Sequence, residues 1–516
     1  MLEAVKAYTT IWPCSITVEK GYARIIFYVL QQIIDMQKSL TKNSFFYFIY
    51  NVLNMVFPFL TSMYVARILP PTMIGEVAYA QNIVSYFTIL AFLGLPTYGL
   101  REISKARYHY EELCKLFSEL FIINFISTVV FSSIYYGMIL LVPDFQNNLL
   151  LYSVVGITVI LNMLNIGWLF EGLEEFRYVS IRNAVFKFIM FALLLLIVRG
   201  PDDMIPYVLI TILGVAGNNA VNVFFSRKFI KFQWHGLHFA RHMKSIFMLV
   251  MVNLAIEIYS LVGTSMLGAL ATKESVAFYT YADKTNSILK QITNTITMVL
   301  VPRIALYYGE GKMEDFNILL TKALKILVLL AVPIIVGMQF TADFLFPSLF
   351  GAAYIQAAAV ERILCLGLLI APIGYLLGSR VLLVSGKENK MALCVSAGAV
   401  TNVIGNYVLI RSFNEIGAAM ACLIGELVVA SLYINYGRTV FSLYPLRKNV
   451  LNVFLAGAVM ALYLFTCNLI LSYGWPRLIL QVLGSAFVYA VALWVLKDSV
   501  FCEFGNRYIL SVFKKA

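Results

Sequence analysis

Charge is what this chain has least of. Only 13% of its 516 residues are Asp, Glu, Lys or Arg, and 61% are apolar. A soluble chain of that length would split into two or three domains with a much more polar surface. Histidine is also scarce, with four residues in all. None of them falls in a predicted membrane span, so carboxylates have to carry any coupled proton. The seven cysteines are scattered and form no Cys-x-x-Cys pair, which predicts neither a disulfide nor a zinc site. A phosphate-binding loop is missing too. Gly309-Glu310-Gly311-Lys312 has neither its spacing nor the following Ser or Thr. No loop is long enough for a catalytic domain. The expectation is therefore no enzyme chemistry, no metal and no cofactor.

What is present is apolar run after apolar run, each of roughly 18–25 residues and long enough to cross a hydrocarbon core of about 30 Å. The runs are continuous rather than alternating, which excludes a barrel and leaves helices. The predicted fold class is an all-α polytopic membrane protein with about fourteen transmembrane helices. The predicted spans run from 43–69 to 476–497. Among them are single spans at 74–100 and 355–382, and a closely spaced pair at 389–410 and 415–437.

The net charge of +12 would suggest nucleic acid in a soluble protein. Here it reports orientation, because the basic residues collect in alternate loops. One set holds Arg101, Lys105, Arg107, Arg177, Arg182, Arg227, Arg303, Lys312 and Arg438, among others. The opposite set holds only Arg67, Arg199, Lys273, Lys284, Arg411 and Arg477. The basic loops are predicted to be cytoplasmic, with both termini inside and no nucleic-acid partner. His235, His238 and His242 lie in the longest basic loop, and a solvated loop is the plain reading of them.

Residues 1–35 form an extension outside this pattern, as a surface segment or a misassigned start, with translation expected to begin at Met36. The loop near residue 235 divides a first set of six helices (36–235) from a second (236–440). Two further helices and a tail follow (441–516). A gap-free offset matches Asn51 with Asn253, Tyr79-Ala80 with Tyr281-Ala282, and Arg101 with Arg303. Such a repeat is usual where substrate lies between two lobes.

Polar residues inside apolar spans are default site candidates, since each charge costs about 2.5–3.5 kcal/mol to insert. The seventh span carries Asn253, Glu257, Ser260 and Thr264 at helical spacing. The eighth carries Asp283, Lys284, Ser287, Lys290 and Asn294. The first carries Asn51, Asn54, Pro58 and Thr61. Arg67 closes the first span, Glu361 and Arg362 lie in the tenth, and Glu426 in the twelfth. Plain readings stand beside these. Ser, Thr and Asn stripes also hold helices together, Glu257 and Lys290 could form a structural ion pair, and Arg67 and Lys284 could snorkel.

The first hairpin reads Val65-Ala66-Arg67-Ile68-Leu69-Pro70-Pro71, then Ile74-Gly75, and ends Tyr98-Gly99-Leu100-Arg101-Glu102. Tyr281-Ala282-Asp283-Lys284, Pro302-Arg303-Ile304, Gly386-Lys387 and Gly417-Ala418-Ala419 follow. Together these resemble the Wzx-type flippases of the polysaccharide transporter family, related to the MATE exporters and the lipid II flippases. The resemblance implies two six-helix lobes in a V with alternating access, plus two C-terminal helices. It implies a bacterial inner-membrane flippase in O-antigen, lipopolysaccharide or other polysaccharide biosynthesis. The cargo would be an undecaprenyl-pyrophosphate-linked oligosaccharide, moved from the inner to the outer face and coupled to an ion gradient. Membrane lipids, a polysaccharide polymerase and a chain-length regulator are the further partners it implies. On this reading Arg67, Asn253, Glu257, Asp283, Lys284, Lys290, Asn294, Arg362 and Glu426 line the path. Arg101 and Arg303 capture the pyrophosphate at the inner mouth. A MATE-like cation exporter predicts carboxylates in the first six helices, where few occur. A polymerase predicts a large outer loop, which the chain lacks.

Overall fold

A computed structural model describes residues 46, 48–382, 386–437 and 447–503. The 1–35 extension and the Met36 start lie outside them. Among the described residues every regular element is helical. In chain order these are α1 (Phe48–Val65), α2 (Pro71–Phe92), α3 (Leu95–Ala106), α4 (Tyr110–Leu141), α5 (Leu149–Leu161), α6 (Gly167–Gly172), α7 (Phe176–Ile197) and α8 (Met204–Ser226). Then follow α9 (Ala240–Leu270), α10 (Lys273–Gly309), α11 (Met313–Phe350), α12 (Ile355–Leu364), α13 (Gly367–Tyr375), α14 (Glu388–Gly437), α15 (Arg447–Ile470) and α16 (Trp475–Val495).

Local chemistry explains the ends. Pro70 and Pro71 open α2, because proline suits the first helical turn and nothing deeper. The Thr272 hydroxyl caps α10 by accepting the Ser275 amide at 3.2 Å. Three predicted spans are broken instead of continuous. Between α2 and α3, Leu93 and Gly94 both have positive φ. Between α5 and α6, residues Asn162–Leu164 tighten into a 3-10 turn. The tenth span bends by 45° between α12 and α13, then runs into a π-helical stretch at Leu376–Leu382.

Among the described residues, ten helices are long and apolar enough to cross a membrane, and eleven if the bent pair is one span. That count takes α14 as a single span and does not test the predicted fourteen. One of these helices, α14, reverses direction at Asn414, whose φ is 47°. Its two arms pack antiparallel: Gly417 abuts Leu409, Gly405 abuts Ala421 and Gly398 abuts Val429. Apolar residues such as Phe188, Leu462 and Phe487 point outward, as lipid requires.

The packing is asymmetric from end to end. Away from the basic loops, one apolar core joins the first and second halves of the chain. It includes Val65, Leu69, Leu194, Leu267, Tyr281, Phe350, Tyr354 and Ala418. Here α2 lies directly on α10. A methyl group on Gly75 would fall 1.6 Å from the Lys273 carbonyl oxygen and 3.2 Å from the Ala277 nitrogen. The sequence offset makes Gly75 and Ala277 equivalent, so matched helices meet at this point. Toward the basic loops the halves have separate cores. One holds Ile103, Phe117, Trp168 and Phe170, with Ile246 and Val250 of α9. The other holds Ile304, Phe316, Leu377 and Tyr433. The two last helices pack outside both, against α11, through Val328, Val332, Val453, Met460 and Leu493.

Candidate functional site

The polar positions of α10 are carried past α12 and the second arm of α14. Lys290 Nζ donates to Glu426 Oε1 at 2.8 Å. Gly367, at the start of α13, makes room for that carboxylate, since a Cβ there would lie 2.4 Å from Glu426 Oε2. Asp283 sits two helical turns from Lys290 and within electrostatic range of Lys284 and Lys290. Lys284 Nζ donates to Ser62 Oγ of α1 at 3.1 Å, crossing between the halves. Glu361 on α12 is fully buried, and neither of its oxygens has a hydrogen-bond partner among the described residues. It also lies within electrostatic range of Asp283 and Lys290. Two lysines and three carboxylates thus share one interior region.

Several expectations change here. The ion pair considered between Glu257 and Lys290 is absent, because Lys290 faces Glu426. Glu257 is exposed on α9 and accepts from the Ser260 hydroxyl at 3.3 Å. It lines a second interior cavity of about 480 Å³ with Gln81, Ser85 and Thr88. Arg362 does not join the cluster. Its guanidinium pairs with Asp343 of α11 and donates to the Gln339 carbonyl at 3.2 Å, while Gln339 donates back to the Arg362 carbonyl at 2.8 Å. That is a clamp between α11 and α12, whose partners sequence spacing did not reveal. Arg67 is likewise engaged, donating to the Leu349 carbonyl at 3.1 Å and to the Ser348 carbonyl at the end of α11. A cation suits that end of a helix. The side chains of Asn253 and Asn294 lie outside the described residues.

At the basic end Arg101 is exposed and pairs with Glu102 at 2.8 Å, and Arg303 is exposed. Beside Arg101, which lies over the Tyr98 ring, is a junction that the solvated-loop reading missed. His242 is only 2% exposed. Its Nε2 lies 2.7 Å from Glu119 Oε2 and its Nδ1 lies 2.7 Å from the Tyr98 hydroxyl. Arg241 donates to the same carboxylate at 2.6 Å, and the His238 amide donates to Glu119 Oε1 at 2.6 Å. Farther along the loop, the Gln233 amide donates to Ser118 Oγ at 2.9 Å. The loop before α9 is therefore stitched onto α4, and the start of α9 belongs with the first half.

A cavity of about 330 Å³ lies among α1, α2, α7 and α8. Asn183 donates to Asn54 at 2.9 Å beside it. Its walls include Thr61 and Ser62 from the predicted first-span stripe. They also include Gln81, Lys187 and Asn218, none of which sequence reasoning singled out. Lys187 was legible as a cation among the apolar residues Val185, Phe186, Phe188 and Ile189 of α7. The orientation count drew attention to helix ends instead.

The comparisons with known proteins agree with this architecture. A protein of Escherichia coli (strain K12), provisionally named an O-antigen transporter, is 23% identical over 78% of this chain and 97% of its own length. A protein of Haloferax volcanii, provisionally named a low-salt glycan biosynthesis flippase, is 22% identical over 34% of this chain and 38% of its own. Among solved structures, the lipid II flippase MurJ in an inward closed conformation superposes with a TM-score of 0.72. It covers 91% of this chain and 100% of that one at 14% identity. An inward-facing multidrug MATE transporter gives 0.53, covering 74% and 93% at 13% identity. The MatE family matches residues 249–408. The polysaccharide biosynthesis protein family matches residues 40–307, more than half of the chain. The chain belongs to that family, as a multi-pass membrane protein.

Proposed function

We propose that the chain flips a lipid-linked oligosaccharide, with undecaprenyl pyrophosphate as the lipid carrier, from the inner to the outer face of a bacterial inner membrane. Residues 36–235 and 236–440 act as two lobes that alternate in access, and 441–516 contribute peripheral helices and a tail. Both termini lie on the cytoplasmic side, with the basic loops. The observation that carries this reading is the asymmetric packing: one shared apolar core at one end, and separate cores for the two halves at the other. A body built that way is shut toward the outside and open toward the inside. The relatives named for O-antigen transport and glycan flipping support the cargo class.

Ion coupling is placed on the carboxylates of the second half. Glu361 without a partner and Glu426 against Lys290 are groups whose charge state changes the internal electrostatics. Arg101 and Arg303 stand at the inner mouth for pyrophosphate. Export of organic cations is favoured less, because the first-half cavity holds Lys187 and no carboxylate. The test is deletion of the gene in a host that makes a repeat-unit surface polysaccharide. Lipid-linked single repeats accumulate on the cytoplasmic face and surface polymer is lost. Unchanged polymer with raised drug sensitivity would overturn the reading.

A further inference from the structure

Helix α7 carries three cations, Arg177, Arg182 and Lys187, that join none of the ion pairs among the described residues. Arg177 is exposed at the basic end of the helix. Arg182 lies higher and is 9% exposed, with its Nε donating to Asn218 at 2.6 Å. Its guanidinium lies over the Tyr178 ring, 5.1 Å from the centroid, and its Nη1 is buried with no hydrogen-bond partner among the described residues. Lys187 is half-buried about 16 Å from the start of α7, near the middle of the bilayer. Neither Lys187 nor Arg182 is paired with a carboxylate among the described residues. An unpaired cation at that depth is costly and calls for an anionic ligand.

Two neighbouring spaces flank these residues, with Phe186 on the wall of both. A groove of about 480 Å³ runs up α7 past Arg177, Arg182 and Phe186, with Val221 of α8 on its other side. Phe186 also lines the inner cavity that holds Lys187, as does Asn218, the partner of Arg182. Ile181 and Val185, on the groove wall, are exposed, so the groove opens toward lipid and not toward the space between the lobes. One carboxylate, Glu175, stands at its mouth. The inner cavity ends at Ser62, which accepts from Lys284. Arg177, Arg182, Lys187 and Lys284 thus form a graded series from the membrane edge to the lobe interface.

We propose that this groove is a lateral binding site for the diphosphate head of a polyprenyl lipid, with the tail left in the membrane and the head group handed from Arg177 through Arg182 to Lys187. This rests on the flippase reading and adds to it where the cargo's anion is held. The chemistry fits: guanidinium forks bind phosphoryl oxygens in pairs, and an ammonium deeper in provides a compact charge.

The test uses the full chain in phosphatidylethanolamine nanodiscs, with farnesyl diphosphate as the probe. Lys187→Gln weakens binding by at least about tenfold, and Lys187→Arg retains it within about threefold. Matching unfolding midpoints keep misfolding out of the comparison. Unchanged affinity in Lys187→Gln overturns the site. Equal competition by phosphatidylglycerol would assign the groove to bulk anionic lipid, and equal competition by inorganic pyrophosphate to a soluble anion. Either result overturns the proposal. If the deletion strain keeps its surface polymer while Lys187→Gln still loses the probe, the flippase reading falls and the site stands.

Discussion

Glu361 is a costly side chain: fully buried, with neither oxygen hydrogen-bonded among the described residues. Glu361→Gln keeps its shape and removes the ionisable group. The variant should unfold no more easily than wild type, and up to about 1–3 kcal/mol less easily, while losing gradient-driven transport. Thermal unfolding in detergent and a flipping assay with an imposed ion gradient measure both. Lys290 and Glu426 behave differently because they hold each other. Removing one partner of a buried pair costs about 3–5 kcal/mol, with the lower end expected where Lys290 is 25% exposed. Lys290→Glu and Glu426→Lys should each destabilise the protein, and the double exchange should restore stability. Transport that returns with the double exchange marks the pair as structural, and transport that stays lost assigns the sign of each charge to the mechanism. The sequence exposed these residues because a charge in an apolar run is conspicuous. It could not say which charges meet. Asp343 and Arg362 are neighbours only because α11 and α12 pack side by side, and no periodicity within either helix encodes that. His242 was hidden for the same reason, since its partners lie on α3 and α4.

At the level of elements, helix existence was plain in the sequence and helix breaks were not. Hydrophobic length signals a crossing, whereas a break depends on one or two backbone angles, such as the positive φ of Leu93 or Asn414. The α14 hairpin depends on small residues at its crossing points. A Cβ on Gly417 would lie 2.2 Å from the Leu409 carbonyl oxygen, which is backbone and cannot move aside alone. Gly417→Ala should therefore cost about 1–3 kcal/mol, as overpacking does. The fall should appear as a lower unfolding midpoint and a matching loss of folded protein in the membrane fraction. A normal midpoint would mean the two arms separate more easily than their packing indicates. The stitching of the loop before α9 onto Cys114, Ser118 and Glu119 bears on the moving parts. It fixes one end of α9 to the first half while the rest packs along α14, so α9 itself must flex when the halves move.

At the scale of the molecule, the two halves touch where Gly75 lies against Lys273. Gly75→Ala cannot keep that approach and should shift the population away from the outwardly shut state. In a cysteine-free background, Ala66→Cys reports the shift, because Ala66 is only 7% exposed in this state. Labelling of that cysteine by a membrane-impermeant thiol reagent should rise several-fold when Gly75→Ala is added. Equal labelling with and without the alanine would show that the contact does not hold the halves together.

The shared core at that end has one more consequence. A membrane protein with a wet, charged interior is a potential short circuit for the gradients its cell maintains. The apolar cluster around Leu69, Tyr281, Phe350 and Tyr354 is a dry gasket across that route. It keeps the interior from conducting when no cargo is present, so the idle molecule is tight. Loosening the gasket should be toxic through passive ion leak even in a cell that has no polysaccharide to export.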